Sequence, residues 1–284
     1  MTSSQSTNGS DAAAPIAFIG GGNMASAIIG GLIDQGMAPS ALVVVEPFEP
    51  ARAQLKKQFG VQANEAATDA LARCRMVVWA VKPQTFKEAA APVAPFTGDA
   101  LHLSVAAGIR SDSVGRWLGA ARVARAMPNT PALVGKGMTG LYAGPAVSAA
   151  DRADVEALLR PTGDLLWFER EEQLDAVTAL SGSGPAYVFY FLEAMVKAGA
   201  QMGLSEAQAR HLAVATFAGA SALAHSSDDS LETMRQRVTS KGGTTYAAIT
   251  ALDEGGVQAA FVKAMEAESR PAEEKGAGYG PADP

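Results

Sequence analysis

Apolar residues follow two rhythms along this chain, and the rhythm changes near residue 170. Before that point, short unbroken apolar runs alternate with stretches of helical spacing. IAFIG (Ile16–Gly20), LVVVE (Leu42–Glu46) and MVVWAV (Met76–Val81) lack polar alternation, so they read as strands covered on both faces. LHLS (Leu101–Ser104) and RVARA (Arg122–Ala126) predict a fourth and fifth strand, and Met138–Tyr142 and Leu165–Phe168 two more. Helical patterns lie between the first five, at Ser26–Gly36, Pro50–Phe59, Gln84–Ala94 and Ser111–Leu118. Strands alternating with helices predict a doubly wound parallel sheet, an α/β domain of Rossmann type.

Beyond residue 170 strand patterns stop. Ala-rich helical segments follow at Glu171–Leu180, Pro185–Met202, Glu206–His225, Leu231–Arg237, Thr244–Glu254 and Val257–Glu268. Ser205 and Gln208 have the spacing of a capping box, and Gly203, Gly255 and Gly256 suit helix ends. The organisation predicted is a polar disordered tail at 1–14, a dinucleotide-binding domain at 15–170, a helical domain at 171–269 and a loose tail at 270–284. The small residues of Pro185–Met202 and Glu206–His225 permit close packing, including packing between subunits.

Composition narrows the partners. A net charge of −6 and a pI near 5.2 disfavour nucleic acid and anionic membrane. The single cysteine, Cys74, excludes an intrachain disulfide and suits a reducing cytoplasm. His102, His211 and His225 share no ligand spacing, so no metal site is expected. No apolar run reaches the roughly 18 residues of a membrane span. The tail lacks the basic start and apolar centre of a secretory signal.

The candidate chemistry sits at strand ends and in glycine turns. Gly20-x-Gly22-x-x-Ala25 follows a strand and opens a helix, the setting a dinucleotide fingerprint requires. Gly20 permits a tight turn, Gly22 admits pyrophosphate to the backbone, and the amides of Asn23 and Met24 face it from a helix N-terminus. Glu46 ends the second strand close to the roughly 20-residue spacing of a ribose-binding acid. A carboxylate there favours NADH over NADPH, although Arg52 is near enough to reach a phosphate. Ala80, Val81, Lys82 and Pro83 close the third strand, and Ala107 follows the fourth. Backbone in these segments faces the cofactor crevice, while the Lys82 side chain either meets a phosphate or stays in solvent. Asn129 and Thr130, after the fifth strand, offer hydrogen bonds to a nicotinamide carboxamide or serve as turn residues.

GGGNMA from Gly20, AVKPQ from Ala80, MPNTP from Met127, LSGSGPAY from Leu180 and VTSKGGTT from Val238 occur in this order. Together they resemble the pyrroline-5-carboxylate reductase family over Ile16–Glu268. The resemblance implies reduction of 1-pyrroline-5-carboxylate to L-proline by NADPH or NADH, the last step of proline biosynthesis. It implies substrate contacts from Ser181, Ser240, Gly242, Gly243, Thr244 and Thr245, with the Thr245 hydroxyl on the ring nitrogen as the catalytic contact. It also implies a homodimer through the helical domain, or a higher oligomer. Physical chemistry agrees with the glycine turn: amides around Gly242, Gly243 and Thr244 at a helix mouth can meet a carboxylate. Two departures stand out. Lys241 occupies the place of the family's usual proline, and Glu46 sits where many members favour NADPH.

Two other functions use the same features. A related imine reductase or hydroxyacid dehydrogenase would need a lysine acid, for which Lys241 is best placed. A nucleotide-sensing paralogue would keep the first glycine turn and not turn over.

Overall fold

The computed structural model describes residues 14–278 of the chain. Eight strands form one sheet: β1 (Ile16–Ile19), β2 (Leu42–Val45), β3 (Ala63–Asn64), β4 (Met76–Trp79), β5 (Leu101–Ser104), β6 (Val123–Met127), β7 (Gly137–Ala143) and β8 (Gly163–Phe168). Their order is β3-β2-β1-β4-β5-β6-β7-β8, and β3 to β6 are all parallel. The chain reverses direction across the sheet between β1 and β4, which opens a crevice at the carboxyl ends of the strands. The helices of this part are α1 (Asn23–Asp34), α2 (Glu49–Phe59), α3 (Phe86–Ala90), α4 (Ala94–Thr97), α5 (Ser111–Leu118), α6 (Ala149–Leu159) and α7 (Gln173–Val177).

Alternate strand residues feed two core layers, which is why the runs show no polar face. Ile16, Phe18, Met76 and Val78 pack with Ile28 and Ile29 of α1. Ala17, Ile19, Val77 and Trp79 pack with Phe86 and Val114 on the other side. Each such large apolar side chain contributes about 1.5–3 kcal/mol by leaving water.

Three features depart from the sequence reading. β7 runs antiparallel to β6, because the link between them holds only a short 3₁₀ turn, Thr130–Val134. A parallel return needs a crossover of a dozen or more residues. The two-residue strand β3 and the helix α6 were not predicted. Ser148 and Asp151 form a full capping box at α6, a signal present in the sequence. Gln84–Ala94, expected as one helix, is a 3₁₀ turn at Pro83–Thr85 followed by α3 and α4.

By its contacts the chain forms one compact unit that runs to Gly182 and resumes at Ala272, and a second that spans Ser183–Pro271. The segment that follows the expected boundary at 170 is fastened to the sheet. The Glu171 carboxylate accepts from the Ser111 amide at 2.6 Å and pairs with the buried Arg125 guanidinium at 2.8 Å. Leu174 and Val177 are buried, and a Cβ on Gly140 would lie 2.8 Å from Val177 Cγ1.

The second unit holds α8 (Gly184–Gln201), α9 (Glu206–His225), α10 (Leu231–Arg237), α11 (Thr244–Glu254) and, as far as Pro271, α12 (Val257–Gly278). α8 and α9 meet closely at Gly199, where a Cβ would come within 2.7 Å of Ala209 Cβ. Tyr187 and Phe191 each place a ring 5.5 Å from that of Phe261, edge to face. α12 continues to Gly278, whereas a loose tail was expected from 270. Residues 1–13 of the tail expected at 1–14, and residues 279–284, lie outside the described residues. Among the described residues no helix is long and apolar enough to cross a membrane.

Candidate active site

The Gly20–Gly22 turn is shaped by what touches it. Gly20 has φ 96°, and its amide donates to the Val45 carbonyl at 2.8 Å. A Cβ there would lie 2.6 Å from the Ala80 carbonyl oxygen, so only glycine lets β1 turn against β4. Gly22 is the opposite: nothing lies within 4 Å of where its Cβ would be. That open space lies directly before α1, whose first helical bond runs from the Ser26 amide to the Gly22 carbonyl at 2.9 Å. No side chain caps α1, and no acid occupies its first turn. The amides of Asn23 and Met24 therefore point outward with no acceptor in the helix. Open backbone, uncapped amides and a positive helix end fit the pyrophosphate of a dinucleotide.

Glu46 reaches the same turn. Its Oε2 accepts from the Gly21 amide at 2.7 Å and its Oε1 from the Phe48 amide at 2.8 Å. The carboxylate thus braces the glycine turn. Arg52, expected within reach of a phosphate, donates to the Glu46 carbonyl at 2.9 Å and the Pro47 carbonyl at 2.6 Å. Its guanidinium holds the loop between β2 and α2.

Further along the rim, the Ala80 amide donates to the Ile19 carbonyl at 2.8 Å and the Val105 amide to the Trp79 carbonyl at 3.0 Å. These bonds carry the parallel ladder to the strand ends and set Ala80, Val81 and the loop holding Ala107 at one edge. Lys82 is exposed, and Pro83 opens the 3₁₀ turn after it. Beneath this edge His102 is fully buried. It accepts from Trp79 Nε1 at 3.0 Å through Nδ1, and its Nε2 donates to the Thr97 carbonyl at 2.9 Å. Burial lowers its pKa to about 4, so it is a neutral structural group. Cys74 is also buried, and burial raises its thiol pKa.

At the end of β6 the structure joins two segments that the sequence left apart. Thr178–Gly182 forms one π-helical turn, a conformation with no signal in the apolar pattern. Asn129 Nδ2 donates to the Ser181 carbonyl at 3.1 Å and to the Ser181 hydroxyl at 3.2 Å. Asn129 Oδ1 accepts from the Met138 amide at 2.9 Å. The Asn129 amide, expected to meet a carboxamide, is engaged within the protein. Thr130 is exposed and opens the 3₁₀ turn behind it.

In the helical unit, the Gly243 amide donates to the Ser240 carbonyl at 3.0 Å, closing a four-residue turn. Gly242 has φ 77°, and no non-glycine residue has positive φ among the described residues. This is a type II turn, with Lys241 at the position where proline is common. The Gly243 amide, expected to bind a carboxylate, instead closes the turn. A Cβ on Gly243 would lie 2.8 Å from Ser240 Oγ, so the hydroxyl covers that residue. α11 then starts with no side-chain cap and no acid in its first turn. Its first bond runs from the Ala247 amide to the Gly243 carbonyl at 3.2 Å, so the amides of Thr244 and Thr245 point out. Both threonines are exposed.

A doubly wound sheet with an uncapped glycine turn at its switch point fits a dinucleotide-binding enzyme of the oxidoreductase class. Comparison with known proteins agrees. Residues 15–108 match the family model described as NADP oxidoreductase coenzyme F420-dependent, and 171–275 the one described as pyrroline-5-carboxylate reductase dimerisation. The chain is 43% identical to a pyrroline-5-carboxylate reductase of Pseudomonas aeruginosa, covering 90% of this chain and 94% of that one. The structure of a pyrroline-5-carboxylate reductase from Coxiella burnetii matches with a TM-score of 0.85 and 36% identity, over 92% of this chain and 98% of that one. The Plasmodium falciparum pyrroline carboxylate reductase with NADP bound matches with a TM-score of 0.84 and 25% identity, over 93% and 98%. The chain belongs to the pyrroline-5-carboxylate reductase family.

Proposed function

We propose that the protein reduces 1-pyrroline-5-carboxylate to L-proline, using NADPH or NADH. The observation that carries this reading is the pairing, in one chain, of two uncapped helix N-termini of different shape. The Gly20–Met24 turn suits a pyrophosphate, and the Ser240–Thr245 turn suits a single carboxylate. When bound, the nicotinamide supplies the hydride. The amides of Thr244 and Thr245 hold the carboxylate of the imine, aided by the dipole of α11. The Thr245 hydroxyl bonds the ring nitrogen and fixes the ring face. Ser240 and Gly242 shape the turn, and Ser181 is a further substrate contact. A protonated imine is already electrophilic, so alignment matters more than an added acid or base.

The helical unit also supports association. Across α8 to α11 only Gly199, Ala209 and Ala213 are buried. Phe189 is 58% exposed, Tyr190 70%, Leu212 55% and Leu223 59%. Apolar surface on that scale favours burial against a second copy, hence a homodimer through this unit. The buried Cys74 thiol suits a cytoplasmic enzyme.

The test is oxidation of NADPH and NADH by racemic pyrroline-5-carboxylate, with chiral analysis of the product. L-Proline is expected. Folded protein inert with both cofactors would instead favour a nucleotide sensor. Reduction of a hydroxyacid's keto partner, abolished by Lys241→Ala, would favour the dehydrogenase reading. Light scattering at assay concentration should show at least a dimer, and an active monomer would refute the interface.

A further inference from the structure

The Asn129 amide group points both its donor and its acceptor into the protein. Oδ1 is held by the Met138 amide at 2.9 Å, which leaves the two Nδ2 hydrogens for Ser181, at 3.1 Å to its carbonyl and 3.2 Å to its hydroxyl. A hydroxyl that accepts from Nδ2 still carries its own hydrogen, and that hydrogen needs an acceptor elsewhere. The serine is half-buried. Its turn is pressed against β6: a Cβ on Gly182 would lie 2.6 Å from Met127 Cε. The carboxyl ends of β4, β5 and β6 form the half of the crevice that takes the second mononucleotide. A donor fixed at the end of β6 therefore faces the reacting end of the bound ligands.

We infer that Asn129 is a positioning residue, which fixes the Ser181 hydroxyl as a hydrogen-bond donor to a ligand oxygen at the reacting end. That oxygen belongs to the nicotinamide carboxamide or to the imine's carboxylate. The inference rests on the reductase reading above. Asn129→Asp is the informative change. An aspartate keeps the acceptor for the Met138 amide but presents a second acceptor to Ser181. The serine hydrogen then turns inward, and the ligand loses its donor.

The experiment is a double-mutant cycle of Asn129→Asp and Ser181→Ala in the full-length enzyme. It reads kcat and KM for the imine, cofactor affinity by fluorescence titration, and Tm. Each single change should lower kcat/KM about tenfold to a hundredfold. The double variant should be no worse than the worse single one, because both remove the same hydrogen bond. Ser181→Thr, which keeps a hydroxyl, should restore activity to near the wild-type level. A raised imine KM with unchanged cofactor affinity identifies the carboxylate; weakened cofactor binding identifies the carboxamide. Wild-type kinetics in Ser181→Ala, or effects that multiply in the double variant, would overturn the inference. Should Asn129→Asp fail to fold, Asn129→Ala takes its place in the cycle with the same expectation. Wild-type enzyme inert toward the imine would sink the reductase reading itself, a result distinct from multiplying effects in an active enzyme.

Discussion

The two glycine turns of this protein are built alike and housed differently. Each places a glycine at positive φ before a helix with no side-chain cap. Gly20 is walled in by the Ala80 carbonyl and Gly21 by Leu55, whereas nothing lies within 4 Å of a Cβ on Gly242. Glu46 braces the first turn from β2. Among the described residues, the second is braced by its own members, through the Ser240 carbonyl and hydroxyl. The first site is therefore fixed by the fold of its unit before any ligand arrives. The second depends on a local turn at an exposed surface. Rigidity for a large dinucleotide comes from the sheet; the small acid meets a site set by four residues.

Substitutions can test that contrast, and the largest effect is expected in the walled turn. Gly20→Ala forces a side chain into positive φ and onto a backbone oxygen, which should cost about 3–5 kcal/mol of stability. Denaturant unfolding should show the loss together with failed dinucleotide binding. A variant of near wild-type stability would mean that the wall yields. In the open turn the expectation reverses. Thr245→Ala should leave Tm almost unchanged but lower kcat/KM about tenfold to a thousandfold. Unchanged kinetics would remove Thr245 from the mechanism.

The support beneath the β4–β5 edge has its own pH signature. His102 holds a folded pKa of about 4, below its unfolded value of about 6.5. Protonation thus favours the unfolded state. The contribution of this residue is complete above pH 6.5 and falls away as pH drops through 4, by about 3 kcal/mol. NMR titration of His102 checks it; a midpoint near 6.5 would contradict the buried network with Trp79 and Thr97. The smallest effect belongs to the open turn. Lys241→Pro suits position two of a type II turn and should stabilise the helical unit by about 0.5–1 kcal/mol. Thermal unfolding reads this, and destabilisation would show that the turn is not type II.

Much of this was legible from residues alone, for physical reasons. β1, β2 and β4 are buried on both faces, so their apolar runs carry no ambiguity. α9 has a capping box, and its bounds match the predicted ones. What escaped notice depends on contacts between distant segments. The fastening of Glu171 to Arg125 and Ser111 links positions far apart, so the attachment of the segment after 170 to the sheet has no signal in the apolar pattern. The π turn at Thr178–Gly182 and its clamp by Asn129 likewise have no local pattern. Glu46 was read as a ribose contact, and its bond to the Gly21 amide was invisible because residue type reveals charge but not direction. The Gly243 amide was assigned to the substrate because the turn that engages it was not resolved into donor and acceptor.

The most direct measurement is a crystal structure of the protein with NADPH and proline together. The account predicts the proline carboxylate on the amides of Thr244 and Thr245, the ring nitrogen within hydrogen-bond distance of the Thr245 hydroxyl, and the pyrophosphate at Gly22–Met24. A carboxylate bound away from α11, or a ring beyond reach of the nicotinamide, would contradict it.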